Sequence, residues 1–132
     1  DGSITLPASG ASVTGIMLRY EPLPHKNTLG FWIRPEDTAH WEFTVTRPGK
    51  FAVEVLQGCG NGSGGSEVDF VVAEQKLTHK VVETGGFQAF VPFTIGTVTI
   101  DKPGRYKFDI RPKTKPGPAV MDVRQVKLKW TE

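Results

Sequence analysis

Trp32 and Arg34 stand two residues apart in Leu29-Gly30-Phe31-Trp32-Ile33-Arg34, inside the long stretch from Pro22 to Thr38. An indole face beside a guanidinium suits a ligand with an apolar C–H face and polar edges, as a sugar ring has. Trp32 either presents that face or plugs the open end of the fold. A second ring, Phe87, follows Thr84-Gly85-Gly86 and precedes Gln88, where it is a platform or a lid. Arg34, Arg111, Lys113 and Lys115 form the best basic set, provided their loops meet at one edge. Arginine holds sulfate or carboxylate through paired N–H donors, and lysine adds a mobile point charge. Lys113 and Lys115 lie in Pro112-Lys113-Thr114-Lys115-Pro116-Gly117-Pro118, stiffened by three prolines. Such a loop loses little entropy on meeting a partner. The plainer role, cations that keep sheet edges from aggregating, suits Lys127 and Lys129 better.

Other chemistries find no support. His25, His40 and His79 are scattered, and Cys59 has no partner thiol, so neither a metal-ligand spacing nor a disulfide exists. Gly60-Asn61-Gly62-Ser63-Gly64-Gly65 has the spacing of a dinucleotide loop, but alternating Val68, Phe70 and Val72 follow it instead of the required helix. No Gly-x-Ser-x-Gly elbow occurs. Glu36-Asp37 and Glu67/Asp69 are carboxylate neighbours in sequence, which rarely supplies the facing geometry of hydrolysis. No catalytic set assembles.

The elements that carry these residues are strands. Trp41, Phe43 and Val45 alternate with polar neighbours, as do Phe51/Val53/Val55, Val68/Phe70/Val72, Tyr106/Phe108/Ile110 and Val126/Leu128/Trp130. Period-two patterning with one oily face predicts antiparallel sheets packed face to face. Pro48-Gly49 and Pro103-Gly104 mark tight reversals. We expect an all-β antiparallel sandwich of the jelly-roll type with about eight or nine strands. The dense glycines of Gly58 to Ser66 read as a recognition loop.

The totals agree. The chain has 132 residues, 38% hydrophobic and 23% charged, which fits one globular domain. A net charge of +2 gives no case for nucleic acid, and no apolar run reaches membrane-spanning length. Residues 1–132 are expected to be a single domain from a larger multidomain enzyme, monomeric, with Asp1 at a boundary.

In order and spacing, several motifs resemble the galactose-binding-like jelly rolls of carbohydrate-binding module families six and thirty-five. They are Pro48-Gly49-Lys50-Phe51-Ala52-Val53-Glu54-Val55, Gly64-Gly65-Ser66-Glu67-Val68, Thr84-Gly85-Gly86-Phe87 and Ala119-Val120-Met121-Asp122-Val123. The likeness runs from roughly Leu29 to Leu128 and is nearer still to β-sandwich domains appended to sulfatases and fucosidases of marine bacteria. It implies a non-catalytic module that keeps a covalently linked hydrolase or sulfatase near its polysaccharide, in an extracellular or periplasmic setting. Phe87 would then be one cleft aromatic, with Trp32 the second and Gln88 beside it. The asparagine common before the closing Asp is missing in Val120-Met121-Asp122. The resemblance also implies a structural calcium on Glu21 and Asp122, although Arg19 stands where another acid is usual; no cofactor is required.

The leading expectation is therefore a module binding a polysaccharide, sulfated or uronate-rich, through Trp32, Arg34, Phe87, Gln88, Arg111, Lys113 and Lys115. Its rival is a structural domain that packs on its parent enzyme and binds no glycan. A small β-sandwich hydrolase or lyase lacks an acid–base pair.

Overall fold

A computed structural model describes residues 1–132. Eleven strands form in chain order: β1 (Ile4–Pro7), β2 (Ser12–Thr14), β3 (Arg19–Glu21), β4 (Thr28–Gly30), β5 (Thr38–Val45), β6 (Gly49–Cys59), β7 (Glu67–Val72), β8 (Gln75–Lys80), β9 (Gly86–Ile100), β10 (Gly104–Pro112) and β11 (Asp122–Trp130). A single 3₁₀ turn covers Ala8–Gly10. One sheet runs β3-β4-β11-β6-β9 with β1 also on β11; the other runs β2-β5-β10-β7-β8. All pairings are antiparallel. The protein is the expected all-β jelly-roll sandwich. The surplus over eight or nine strands lies in the three-residue pieces β2, β3 and β4, too short to show alternation.

The alternating residues meet between the sheets. Phe51, Val53, Val55, Val126 and Leu128 face Val68, Phe70, Phe108 and Ile110, all at or near zero exposure. Trp41, Phe70 and Phe108 add edge-to-face contacts at ring separations of 6.2 and 6.1 Å. Two polar groups admitted to this core pair with each other and with the backbone: Gln57 bonds both backbone groups of Val82, and its Oε1 lies 3.1 Å from His79 Nε2. Burial holds His79 below its ordinary pKa. No helix is long and apolar enough to cross a membrane.

One irregularity fixes the approach to the open end of the sandwich. The β11–β6 register shifts between Val123 and Gln125, so Arg124 leaves the ladder. Its guanidinium lies 4.0 Å over the Phe90 ring and donates to the carbonyls of His25 (3.1 Å) and Lys26 (2.8 Å). The β3–β4 connection is thereby tied to the outer face of the first sheet.

Candidate functional site

The connection after β4 is the first wall of the site. Phe31 adopts φ 57°, a left-handed conformation uncommon for a bulky side chain. This turns consecutive side chains to opposite sides. Trp32 goes inward to 1% exposure, its Nε1–H donating to the Asp37 carbonyl at 2.9 Å. Phe31 stays 41% exposed, with Arg19 Cζ 4.9 Å from its ring centre. The expectation that Trp32 offers a ring face is thus corrected: it plugs the end of the sandwich, and Phe31 is the presented aromatic. The Trp32 carbonyl also accepts from the Val120 N–H at 2.8 Å, joining the two long connections at one rim.

Phe87 forms the opposite wall. Thr84 fixes the turn before it, its Oγ1 accepting from the Cys59 N–H (3.0 Å) and donating to the Gly86 carbonyl (3.1 Å). The Phe87 ring lies across Gly60, where a Cβ would come within 2.7 Å of it, so the glycine permits the close approach. The rest of the glycine loop does not face a ligand as expected. Glu83 Oε2 takes the N–H groups of Gly62 (3.0 Å) and Gly64 (3.1 Å), and Pro116 and Gly117 of the proline loop pack on Gly62 to Gly65.

Between the walls lies a pocket of about 340 Å³ lined by Phe31, Ile33, Phe87 and Ala119 with Arg19, Glu21, Lys26, Gln88 and Asp122, and Trp32 behind them. Size and mixed lining are those of a small-ligand site. Glu21 and Asp122 meet across Gly30, whose missing side chain leaves room for Glu21 Oε1. Asp122 is 4% exposed and accepts one side-chain hydrogen bond, from Gln88 Nε2 at 3.1 Å. Burial pushes its carboxyl up to about 7; the Gln88 bond opposes this, Glu21 adds to it, and Lys26 draws it back. Burial, with Glu83 and Asp122 nearby, also raises the Cys59 thiol to about 11, so it is no nucleophile at neutral pH.

The implied calcium does not fit these residues. No group of three His, Cys, Asp or Glu side chains converges anywhere, and Ca²⁺ takes six to eight oxygens. Glu21 Oε2 already faces two cations, Arg19 Nη2 at 3.4 Å and Lys26 Nζ at 3.8 Å.

Nor does the basic set gather. Arg34 turns to Glu36 (3.5 Å) and to buried Asp37 (3.7 Å). Arg111 projects from β10 of the second sheet and pairs with Asp109 at 3.4 Å. Lys115 donates to the carbonyls of Gly117 and Pro118, closing its own loop. Lys113 is exposed, and none of the four lines the pocket. Sequence reasoning missed Phe31, Arg19 as a partner cation, and Lys26. The one signal for Phe31 was its place between Gly30 and a tryptophan.

A protein family described as a domain of unknown function, DUF5077, matches residues 21–132. No curated protein matches. Among solved structures, the C-terminal family six module of LamC, a marine laminarinase from Zobellia galactanivorans, superimposes with TM-score 0.75 at 15% identity, covering 96% of this chain and 98% of that one. A family 35 carbohydrate-binding module from Clostridium thermocellum gives 0.72 at 12% identity, with 98% of each chain covered. A family six module of Cellvibrio mixtus lichenase 5A, in complex with cellotriose, gives 0.70 at 17% identity and 98% of each. At these identities the likeness establishes the shared fold.

Proposed function

The chain belongs to the DUF5077 family, and from that premise we propose that it is a non-catalytic carbohydrate-binding module whose ligand enters the Phe31–Phe87 pocket. The observation that carries this is an exposed, left-handed Phe31 facing a second ring across a cavity floored by Glu21, Gln88 and Asp122. Aromatic faces suit the C–H face of a sugar, and the floor accepts from and donates to its hydroxyls. That several solved structures sharing this fold are carbohydrate-binding modules supports the reading. Several contacts of this kind give affinities of about millimolar to micromolar.

The module would hold an attached hydrolase or sulfatase to its polysaccharide outside the cytoplasm. Sulfate or uronate groups would be met outside the pocket, by exposed Lys113 on the braced loop that runs into Ala119. A second reading, a domain that packs on its parent enzyme without glycan, is favoured by one observation. Val120 and Met121 are buried, so the wall before Asp122 offers no side-chain hydrogen bond.

Calorimetric titration with cellotriose, a β-1,3-glucan, and neutral and sulfated algal polysaccharides tests the proposal. Binding that falls at least tenfold in Phe31→Ala and Phe87→Ala is expected. Absence of binding to every glycan, with the protein folded, would sink it in favour of packing.

A further inference from the structure

We infer that the ammonium of Lys26, backed by Arg19, is a built-in countercation for the Glu21–Asp122 pair, so that the fold holds this seam without a metal ion. Two acidic side chains from different strands are brought together across Gly30, with Asp122 nearly fully buried and Glu21 at 15% side-chain exposure. Like charges so placed repel and call for a positive group. Lys26 Nζ stands 3.8 Å from Glu21 Oε2, and its field also reaches Asp122. Arg19 Nη2 adds a second cation at 3.4 Å on the same oxygen.

The turn that carries Lys26 is placed by the fold, while Arg19, 61% exposed, adds an outer second cation. The turn carrying Lys26 closes with the N–H groups of Lys26 and Asn27 on the Leu23 carbonyl, both at 2.8 Å. Asn27 takes a left-handed φ of 41°, and its Oδ1 accepts from the Tyr20 hydroxyl at 2.7 Å. Arg124, freed by the β11 bulge, holds the carbonyls of His25 and Lys26. Arg19 is steadied against the Phe31 ring. Contacts from three elements thus fix the turn that carries Lys26 beside Glu21, at the edge of the pair. A divalent ion would have to displace that ammonium and would then find only two carboxylates.

The inference is independent of the glycan reading, since its test uses the protein alone with calcium or EDTA as the probe. Thermal unfolding of the wild type should be unchanged by millimolar calcium or by EDTA. Lys26→Met should melt roughly 3–6 °C lower, while Lys26→Arg keeps most of the wild-type value. Should Lys26→Met fail to fold, the wild-type titration still decides. A calcium-induced rise in wild-type melting would overturn the inference. So would a Lys26→Met protein that melts like the wild type.

Discussion

Asp37 and Asp122 are both buried aspartates at the same end of the sandwich, yet they lie in opposite environments. Burial alone would raise the Asp37 carboxyl, but it accepts from three consecutive backbone N–H groups, Ile16 (3.2 Å), Met17 (2.9 Å) and Leu18 (3.0 Å), with Arg34 nearby. These overcome burial and hold it below 3.8. Asp122 has one amide donor and a second carboxylate for company, and burial prevails. A carboxylate whose lone pairs are filled by its own chain is part of the frame. One left with spare acceptor capacity in a pocket is open to an outside donor. The contrast separates scaffold from site by hydrogen-bond accounting alone.

The largest test of the contrast removes the frame. Asp37→Ala would leave the buried Leu18 N–H, the N–H groups of Ile16 and Met17 and the half-buried Arg34 guanidinium without their acceptor, costing about 2–4 kcal/mol. Trp32→Ala should cost about as much, through the lost packing and the freed Asp37 carbonyl. Urea unfolding midpoints measure both. A loss below about 1 kcal/mol in either would show that this end of the sandwich is not held as described.

Next in size comes pH. Asp37, with its folded pKa depressed, contributes stability that is present above 3.8 and is lost as pH falls through its lower folded value. Asp122 has the opposite sign. Its folded carboxyl titrates near 7 against 3.8 unfolded, so the folded state holds the extra proton between those values and stability declines as pH rises through that window. At about 1.4 kcal/mol per pKa unit the change amounts to a few kcal/mol. Urea midpoints from pH 4 to 8 should fall in the wild type and flatten in Asp122→Asn. Parallel curves for the two proteins would remove Asp122 from the comparison.

The frame was more legible in the sequence than the site, and the reason is range. Phe51, Val53 and Val55 or Tyr106, Phe108 and Ile110 declare their faces locally, because strand alternation is a property of neighbours. Trp32 and Phe31 follow the end of β4, where a left-handed residue reverses the phase, and no period carries across such a turn. Asp37 reads as a loop cap because its amide partners lie 19 to 21 residues away. Glu21 and Asp122 were visible only through family resemblance, and Lys26, in the plain run Pro24-His25-Lys26-Asn27, carried no signal at all. The basic residues sit on long connections whose sequence gives no direction; in the fold their charges are mostly spent on Asp37, Asp109 and loop carbonyls.

A smaller effect divides the adjacent rings. Phe31→Ala removes an exposed side chain from a strained backbone position, so unfolding should change by no more than about 1 kcal/mol while glycan affinity falls about tenfold. Trp32→Ala does the reverse in emphasis, losing stability first. Equal stability losses in the two variants would mean that Phe31 is structural and that the pocket has only Phe87 as a face.

The smallest expected effect belongs to Arg111. Its pair with Asp109 is 3.4 Å long with the arginine 56% exposed, so Arg111→Ala should alter stability by roughly 0–1 kcal/mol. It stands on the sheet opposite β11, and cellotriose affinity should not register its loss. A sulfated polysaccharide is the sensitive probe, because exposed ion pairs weaken with salt and pocket contacts do not. If affinity for such a polymer falls with ionic strength, and Lys113→Ala removes that slope while Arg111→Ala does not, the anionic groups run along the proline loop. If Arg111→Ala removes it, the polymer crosses the second sheet, and the division between an inert frame and a single receptive end no longer holds.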